Sequence, residues 1–292
     1  MLKSLRLILK TMRPKQWAKN AFVFAALVFD GQLTALRPLL ITITAFILFC
    51  LASSLVYIIN DLADIESDRA HPQKKKRPLA SGQLAKKTAI TAAVIISLLI
   101  FPTAFLLDLA FGLILSAYFI LMLAYSLWLK HVPLIDVMIL SAGFVLRVAA
   151  GVVIIVTKRF SPWLFVATTF LSLFISLGKR RAEIQLLAKE AGSHRRVLDG
   201  YSLDLLDQLL TIVLSATLMT YCLYTFAAEV TTGNYAMMLT IPFVIYGLFR
   251  YLYLIRIKRI GGAPEEIVLS DRPMLAAVGA WGVTVIAILY FL

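Results

Sequence analysis

Two cysteines and three histidines in 292 residues leave little material for transition-metal or thiol chemistry. Cys50 and Cys222 each stand alone inside an apolar run, with no CxxC or Cys/His spacing, so they read as packed core residues rather than zinc ligands, a disulfide or a nucleophile. His71, His131 and His194 are equally scattered, all in loops between apolar runs. Acidic residues are scarce as well: 16 Asp and Glu stand against 29 Lys and Arg, for a net charge of +13. Polar surface is what the chain lacks most. Hydrophobic residues make up 61% of it and the mean hydropathy is +0.87, which excludes a soluble domain of this length. The basic excess forms no separate domain, so nucleic acid is not an expected partner. Before Asn20 come Lys3, Arg6, Lys10, Arg13, Lys15 and Lys19, without an apolar core followed by a small-residue cleavage site, so no cleavable signal peptide is expected.

What is there is a series of long apolar runs. They fall at about 20–36, 38–59, 88–107, 109–129, 134–156, 161–178, 205–228, 235–255 and 272–292, and predict nine membrane-spanning helices of roughly 17 to 23 residues. The first is the weakest, interrupted by Asp30 and Gly31. The expected architecture is an all-α polytopic membrane protein: a basic interfacial segment over residues 1–19, in contact with membrane lipid, and a single nine-helix transmembrane domain over 20–292. Nine spans put the N-terminus and the loops after spans 2, 4, 6 and 8 on one side, where most Lys and Arg fall; only Arg37, Lys158 and Arg159 fall in the opposite loops. The positive-inside rule makes the rich side cytoplasmic and the C-terminus external, in what reads as a bacterial cytoplasmic membrane.

The few carboxylates are concentrated. Asn60-Asp61-Leu62-Ala63-Asp64-Ile65-Glu66-Ser67-Asp68 closes the second run and leads to Arg69, Lys74 to Lys76, Arg77-Pro78 and Ser81-Gly82. At 100° per helical residue, Asp61, Asp64 and Asp68 lie within roughly 60° of one another, so the three carboxylates are expected to share a helix face with Asn60 beside them. Like charges so placed repel, and a hard divalent cation, Mg2+ with Mn2+ as its substitute, relieves the repulsion and also holds a substrate's phosphates. The expected metal set is Asn60, Asp61, Asp64 and Asp68. Arg69 and Arg77 are the better phosphate contacts of the following loop, while Lys74 and Lys75 read as membrane anchors.

Three more segments carry polar groups with apparent purpose. In Arg13-Pro14-Lys15-Gln16-Trp17-Ala18-Lys19-Asn20, a helix places Gln16, Lys19 and Asn20 on one face and Trp17 at the interface. Tyr125-Ser126-Leu127-Trp128-Leu129-Lys130 precedes Asp136, and Arg147 follows deep inside the fifth run. Asp136 and Arg147 project from one helix face, roughly 16 Å apart along the axis. An intramembrane arginine costs at least ~2.5 kcal/mol to insert, so Arg147 calls for a function or a buried partner. Finally, Gly178-Lys179-Arg180-Arg181-Ala182-Glu183 leaves the membrane with three successive cations. These cannot all face one site, so Lys179 or Arg180 is expected to face the substrate and Arg181 the lipid headgroups or Glu183.

Together these segments resemble the UbiA-type intramembrane prenyltransferase superfamily, and within it the decaprenyl-phosphate phosphoribosyltransferase branch. The Asn60 to Asp68 motif carries the superfamily; the Arg13 to Asn20 and Gly178 to Glu183 segments carry the branch. Many members that prenylate aromatic rings have a second aspartate-rich motif after span 6, where this chain has Lys179, Arg180 and Arg181. The resemblance implies nine helices around a central cavity open to the cytoplasm and to lipid, 5-phosphoribosyl diphosphate as donor, and a polyprenyl (decaprenyl-like) phosphate as acceptor; it leaves a homo-oligomer open. It implies Asp61, Asp64 and Lys130 as catalytic residues, and Gln16, Lys19, Asn60, Asp68, Arg69, Arg77, Tyr125, Asp136, Arg147, Lys179 and Arg180 as substrate contacts. The chemistry agrees, because a phosphate acceptor is already anionic and the sequence shows no dedicated general base. Two alternatives stand beside it: prenyl transfer from a polyprenyl diphosphate to an aromatic or quinone-precursor acceptor at the same carboxylates and, more distantly, a transporter. Against transport, no matched pair of broken helices is visible in two halves.

Overall fold

The computed structural model describes residues 2–71, 74–155, 157, 161–187, 196–228, 233–258, 267 and 270–292, and every regular element among them is helical. Lys158, Arg159 and His194 lie outside the described residues. In chain order the α-helices are α1 (Leu2–Met12), α2 (Ala25–Phe29), α3 (Leu36–Ala63), α4 (Ile65–Ala70), α5 (Lys86–Leu107), α6 (Leu109–Leu127), α7 (Ile135–Ile154), α8 (Pro162–Leu187), α9 (Leu203–Ala227), α10 (Ile241–Arg256) and α11 (Arg272–Phe291). Eight helical segments among the described residues are long and apolar enough to cross a membrane: α3, α5 to α9, α10 together with the 3-10 turn Ala236–Thr240 before it, and α11. Their outward faces are apolar: Leu106 is 88% exposed, and Leu98, Ile120, Met219 and Val283 are exposed too. Such a surface is stable only against lipid, and the chain is an integral membrane protein.

The expected first span, 20–36, takes a different form. Pro14 opens a 3-10 helix that continues to Phe24 before passing into α2, and the chain then turns at Gly31 with φ +71°. Eleven residues of 3-10 helix is far beyond the usual three or four, but at about 2.0 Å rise per residue it reaches further than an α-helix of the same length. Its inner side, Asn20 and Val23, is fully buried together with Ala26 and Leu27 of α2. A Cβ on Gly151 would sit 2.2 Å from the Val23 carbonyl oxygen, so this packing of α7 on the 3-10 segment requires glycine.

Two compact units divide the chain: Met1–Leu129 with Leu146–Thr157, and Lys130–Val145 with Lys158–Leu292. The division between Val145 and Leu146 falls inside α7, so no linker marks it in the sequence. In the first unit the basic N-terminal segment is docked by its apolar residues. Leu7, Ile8 and Met12 of α1 pack with Trp17, Ile58, Ile65, Leu79, Leu84 and Ala89, while Leu5, Arg6, Leu9 and Lys10 stay exposed. Trp17 Nε1 donates to Ser54 Oγ at 3.0 Å, tying the start of the 3-10 helix to α3. In the second unit, Phe174 and Leu177 of α8, Leu206 and Leu210 of α9 and Leu254 of α10 form the core, and Gly178 lets α8 approach the Tyr251 ring.

Candidate active site

The helix carrying the carboxylates does not run on. Asp64 ends α3 with φ −92° and ψ 10°, and a separate α4 starts at Ile65, so Asp61, Asp64 and Asp68 do not share a face of one helix. The break nonetheless brings Asp61 and Asp68 together. Each is 2% exposed, and one nitrogen serves both: Arg77 Nη1 lies 3.2 Å from Asp61 Oδ1 and 2.6 Å from Asp68 Oδ2. A second guanidinium, Arg13, places Nη2 2.6 Å from the same Asp61 oxygen. Asp64 is half-buried. Asn60 Oδ1 accepts from Ser126 Oγ, which ties the motif to the end of α6 beside half-buried Tyr125.

The loop after α4 explains why Arg77 rather than Arg69 meets the carboxylates. Arg69 Nε donates to the Ala80 carbonyl at 3.2 Å and Nη1 pairs with exposed Glu66, so this side chain braces the loop. Arg77 is anchored by its backbone, with its N–H on the Lys74 carbonyl and its carbonyl accepting from Ser81 N–H, both at 2.9 Å, and its side chain turns inward. Lys74, Lys75 and Lys76 are exposed.

Arg13 is the site residue that the sequence reading missed. It sits between α1 and Pro14 in the left-handed region, φ 54° and ψ 64°, a conformation costing a non-glycine residue roughly 1–2 kcal/mol. The docking of α1, the ion pair with Asp61 and the stacking of its guanidinium 4.5 Å over the Tyr57 ring hold it there. The available signal was the Arg-Pro step, which disfavours α geometry at Arg13 and ends α1. The same segment corrects a second expectation. With three residues per turn, Gln16 and Lys19 share a face of the 3-10 helix but Asn20 does not; both of the former are half-buried, and Asn20 is fully buried.

Asn20 points to Arg147. Arg147 Nε donates to Asn20 Oδ1 at 2.7 Å, Nη2 donates to Tyr118 OH at 2.8 Å, and the guanidinium lies 4.6 Å from the Tyr118 ring centroid. Asn20 Nδ2 donates in turn to Cys50 Sγ and Ser53 Oγ, each at 3.3 Å. This buried network fastens the 3-10 helix to α3, α6 and the second half of α7. It gives Arg147 the buried partners that an intramembrane arginine requires.

Asp136, on the same helix as Arg147, belongs to another network in the second unit. Its Oδ2 accepts from Arg180 Nε at 2.6 Å and its Oδ1 from Tyr201 OH at 2.6 Å, with Asp136 and Arg180 almost completely buried. Arg180 Nη1 also reaches Glu183 at 2.5 Å. Tyr201 OH accepts from the N–H of Leu134, which has φ 67°, so the hydroxyl both supports a left-handed residue and fixes Asp136. Burial and the bond to Asp136 push the Tyr201 hydroxyl up from its ordinary pKa and keep it a donor. Arg181 is not at the headgroups: it is buried, forked onto Asp207 at 2.7 and 3.3 Å and bonded to the Ile255 carbonyl. Glu183 pairs with Arg180. Lys130, in a 3-10 turn, and Lys179 are both half-buried. Asp136→Asn is expected to cost about 3–5 kcal/mol by leaving a buried guanidinium short of its carboxylate; a variant that unfolds in detergent at the wild-type temperature contradicts this.

Among the described residues no group of three or more His, Cys, Asp or Glu side chains is assembled closely enough to hold a metal ion. The donor set still fits one in kind. Two buried carboxylates direct hard oxygen atoms at a single point, and that point is held by a cation, the Arg77 guanidinium.

The chain is 33% identical over 98% of its length to the decaprenyl-phosphate phosphoribosyltransferase of Corynebacterium glutamicum, 87% of which is covered. It is 33% identical over 97% of its length to the enzyme of that name from Mycolicibacterium smegmatis, 92% covered. Its fold matches the solved structure of a UbiA homolog from Archaeoglobus fulgidus bound to GPP and Mg2+, with a TM-score of 0.71 at 19% identity over 97% of this chain and 99% of that one. Residues 20–265, from the 3-10 segment past the end of α10, match the pattern of the UbiA prenyltransferase family, and the chain belongs to that family.

Proposed function

We propose that this protein transfers the 5-phosphoribosyl group of 5-phosphoribosyl diphosphate to a polyprenyl phosphate of decaprenyl-like length, releasing diphosphate. The observation that carries the reading is the buried Asp61–Arg77–Asp68 bridge with Arg13 beside it, a place built for charges of both signs. The similarity to decaprenyl-phosphate phosphoribosyltransferases over nearly the whole chain supports the choice of substrates, and the Mg2+ of the solved UbiA homolog supports a divalent ion.

Asn60, Asp61, Asp64 and Asp68 would hold Mg2+, or Mn2+ in its place, and the bound ion would neutralise charge on the departing diphosphate. Arg77 and Arg13 offer guanidinium forks to the donor's diphosphate oxygens. Gln16 and Lys19, on one face of the 3-10 helix, are further donors to the same groups. As the anomeric C–O bond to diphosphate breaks, an acceptor phosphate oxygen forms the new C–O bond, giving polyprenyl-phosphoryl-5-phosphoribose and diphosphate. The second pKa of a phosphate monoester is near ~6, so the acceptor is largely dianionic at neutral pH and no general base is required. Lys130 and Lys179 are further candidates for phosphate contact. The acceptor's tail stays in lipid. In this reading the N-terminus and the site face the bacterial cytoplasm and the C-terminus lies outside.

The test is donor exchange. Ribose 5-phosphate, which lacks the leaving diphosphate, is expected to give no lipid product where 5-phosphoribosyl diphosphate does. Prenylation of 4-hydroxybenzoate from a prenyl diphosphate, without phosphoribosyl transfer, overturns the substrate assignment and leaves the family membership standing.

A further inference from the structure

We infer that Arg77 is a place-holding cation: it occupies the shared oxygens of Asp61 and Asp68 until a metal–diphosphate complex arrives, then yields the carboxylates to the ion and turns its guanidinium to the diphosphate. The inference rests on the reading of this site as one for a metal and a diphosphate, and is independent of which group the diphosphate carries.

Three features of the geometry lead to it. Both contacts of Arg77 with the carboxylates use Nη1, so Nε and Nη2 of the fork are available to an incoming anion without the backbone moving. The backbone is fixed on either side, by the Lys74 and Ser81 hydrogen bonds and by Pro78. The partners also differ in accessibility: the two carboxylates are 2% exposed and the Arg77 side chain is 24% exposed. The carboxylates are therefore the fixed part of the site, and the guanidinium is the part that can leave.

Charge then dictates the order of events. Asp61, Asp64 and Asp68 against Arg13 and Arg77 leave one net negative charge, so a divalent ion entering alone leaves excess positive charge and must compete with a guanidinium that gains no new anionic partner. A diphosphate entering with the ion supplies both the missing negative charge and the new partner for Arg77. Arg77 thus makes metal uptake depend on diphosphate, and a site without substrate does not retain a bare ion.

This predicts opposite signs for one substitution. In purified full-length protein in detergent micelles, free Mn2+ followed by the loss of its solution EPR signal is expected to bind Arg77→Gln at least tenfold more tightly than wild type. The preformed Mn2+ complex of inorganic diphosphate is expected to bind the same variant at least tenfold more weakly. A purely structural Arg77 would weaken both. Arg77→Lys retains the charge and is expected to bind free Mn2+ within threefold of wild type, a second readout should Arg77→Gln fail to fold. Equal or weaker free-Mn2+ binding by Arg77→Gln, or tenfold tighter binding by Arg77→Lys, overturns the inference. If the wild-type protein still binds the Mn2+–diphosphate complex in a manner abolished by Asp61→Asn, the metal reading survives that result. If neither wild type nor Arg77→Gln binds Mn2+ in either form, the metal reading itself falls.

Discussion

Asp61→Asn is expected to lower phosphoribosyl transfer by roughly 10³-fold, the scale of losing one preorganised electrostatic contact in a site shielded from water, while the protein still inserts and elutes as wild type. Asp61 Oδ1 accepts from both Arg13 and Arg77. Asparagine keeps the shape but removes the charge that holds both guanidiniums and, in the proposed reaction, the metal. Arg13 and Arg77 are 30% and 24% exposed, so solvent compensates part of what they lose and the structural cost stays modest. The effect therefore falls on turnover. Wild-type kcat in the variant, or full activity of the native enzyme in EDTA, contradicts the metal assignment.

Arg147→Met is expected to have its largest effect on stability. Asn20 and Tyr118 each lose a charged donor worth about 1.5–3 kcal/mol, in a network where every named partner is buried. Removing the arginine also removes an insertion cost of at least ~2.5 kcal/mol, but that cost is paid in the inserted unfolded chain as well. Insertion should thus improve slightly while the folded state weakens. Transfer should fall with it, because the 3-10 helix that follows Arg13 and carries Gln16 and Lys19 loses its anchor. Arg147→Lys should recover only part of the loss, since a point charge cannot bond Asn20 and Tyr118 in two directions at once. An unchanged unfolding temperature and unchanged kinetics in the Met variant would contradict this role.

The spans from α3 to α11 are legible in the sequence because long apolar runs leave the backbone one way to satisfy its hydrogen bonds in lipid. The form of the first span is not, since hydropathy is the same for a 3-10 and an α-helix while the two periods aim Asn20 in different directions. Proximity of Asp61 and Asp68 is visible in the motif; their meeting through a helix break at Asp64 depends on Arg77, a loop away. Arg147 announces that it needs partners, yet Asn20 is 127 positions distant along the chain and Tyr118 is 29. Asp136 pairs across 44 positions with Arg180, a partner that no local residue pattern specifies. Arg13 stayed hidden because its role arises from a backbone conformation that no residue-type pattern specifies.

The most direct measurement is made with the purified protein, 5-phosphoribosyl diphosphate labelled in the ribose and, separately, in its β-phosphate, and decaprenyl phosphate in detergent with Mg2+. Ribose label passing into the organic phase, matched one for one by labelled diphosphate in the aqueous phase and dependent on the lipid acceptor, is the predicted result. Diphosphate release without a lipid-linked ribose product, or no release from this donor while a prenyl diphosphate is consumed, would contradict it.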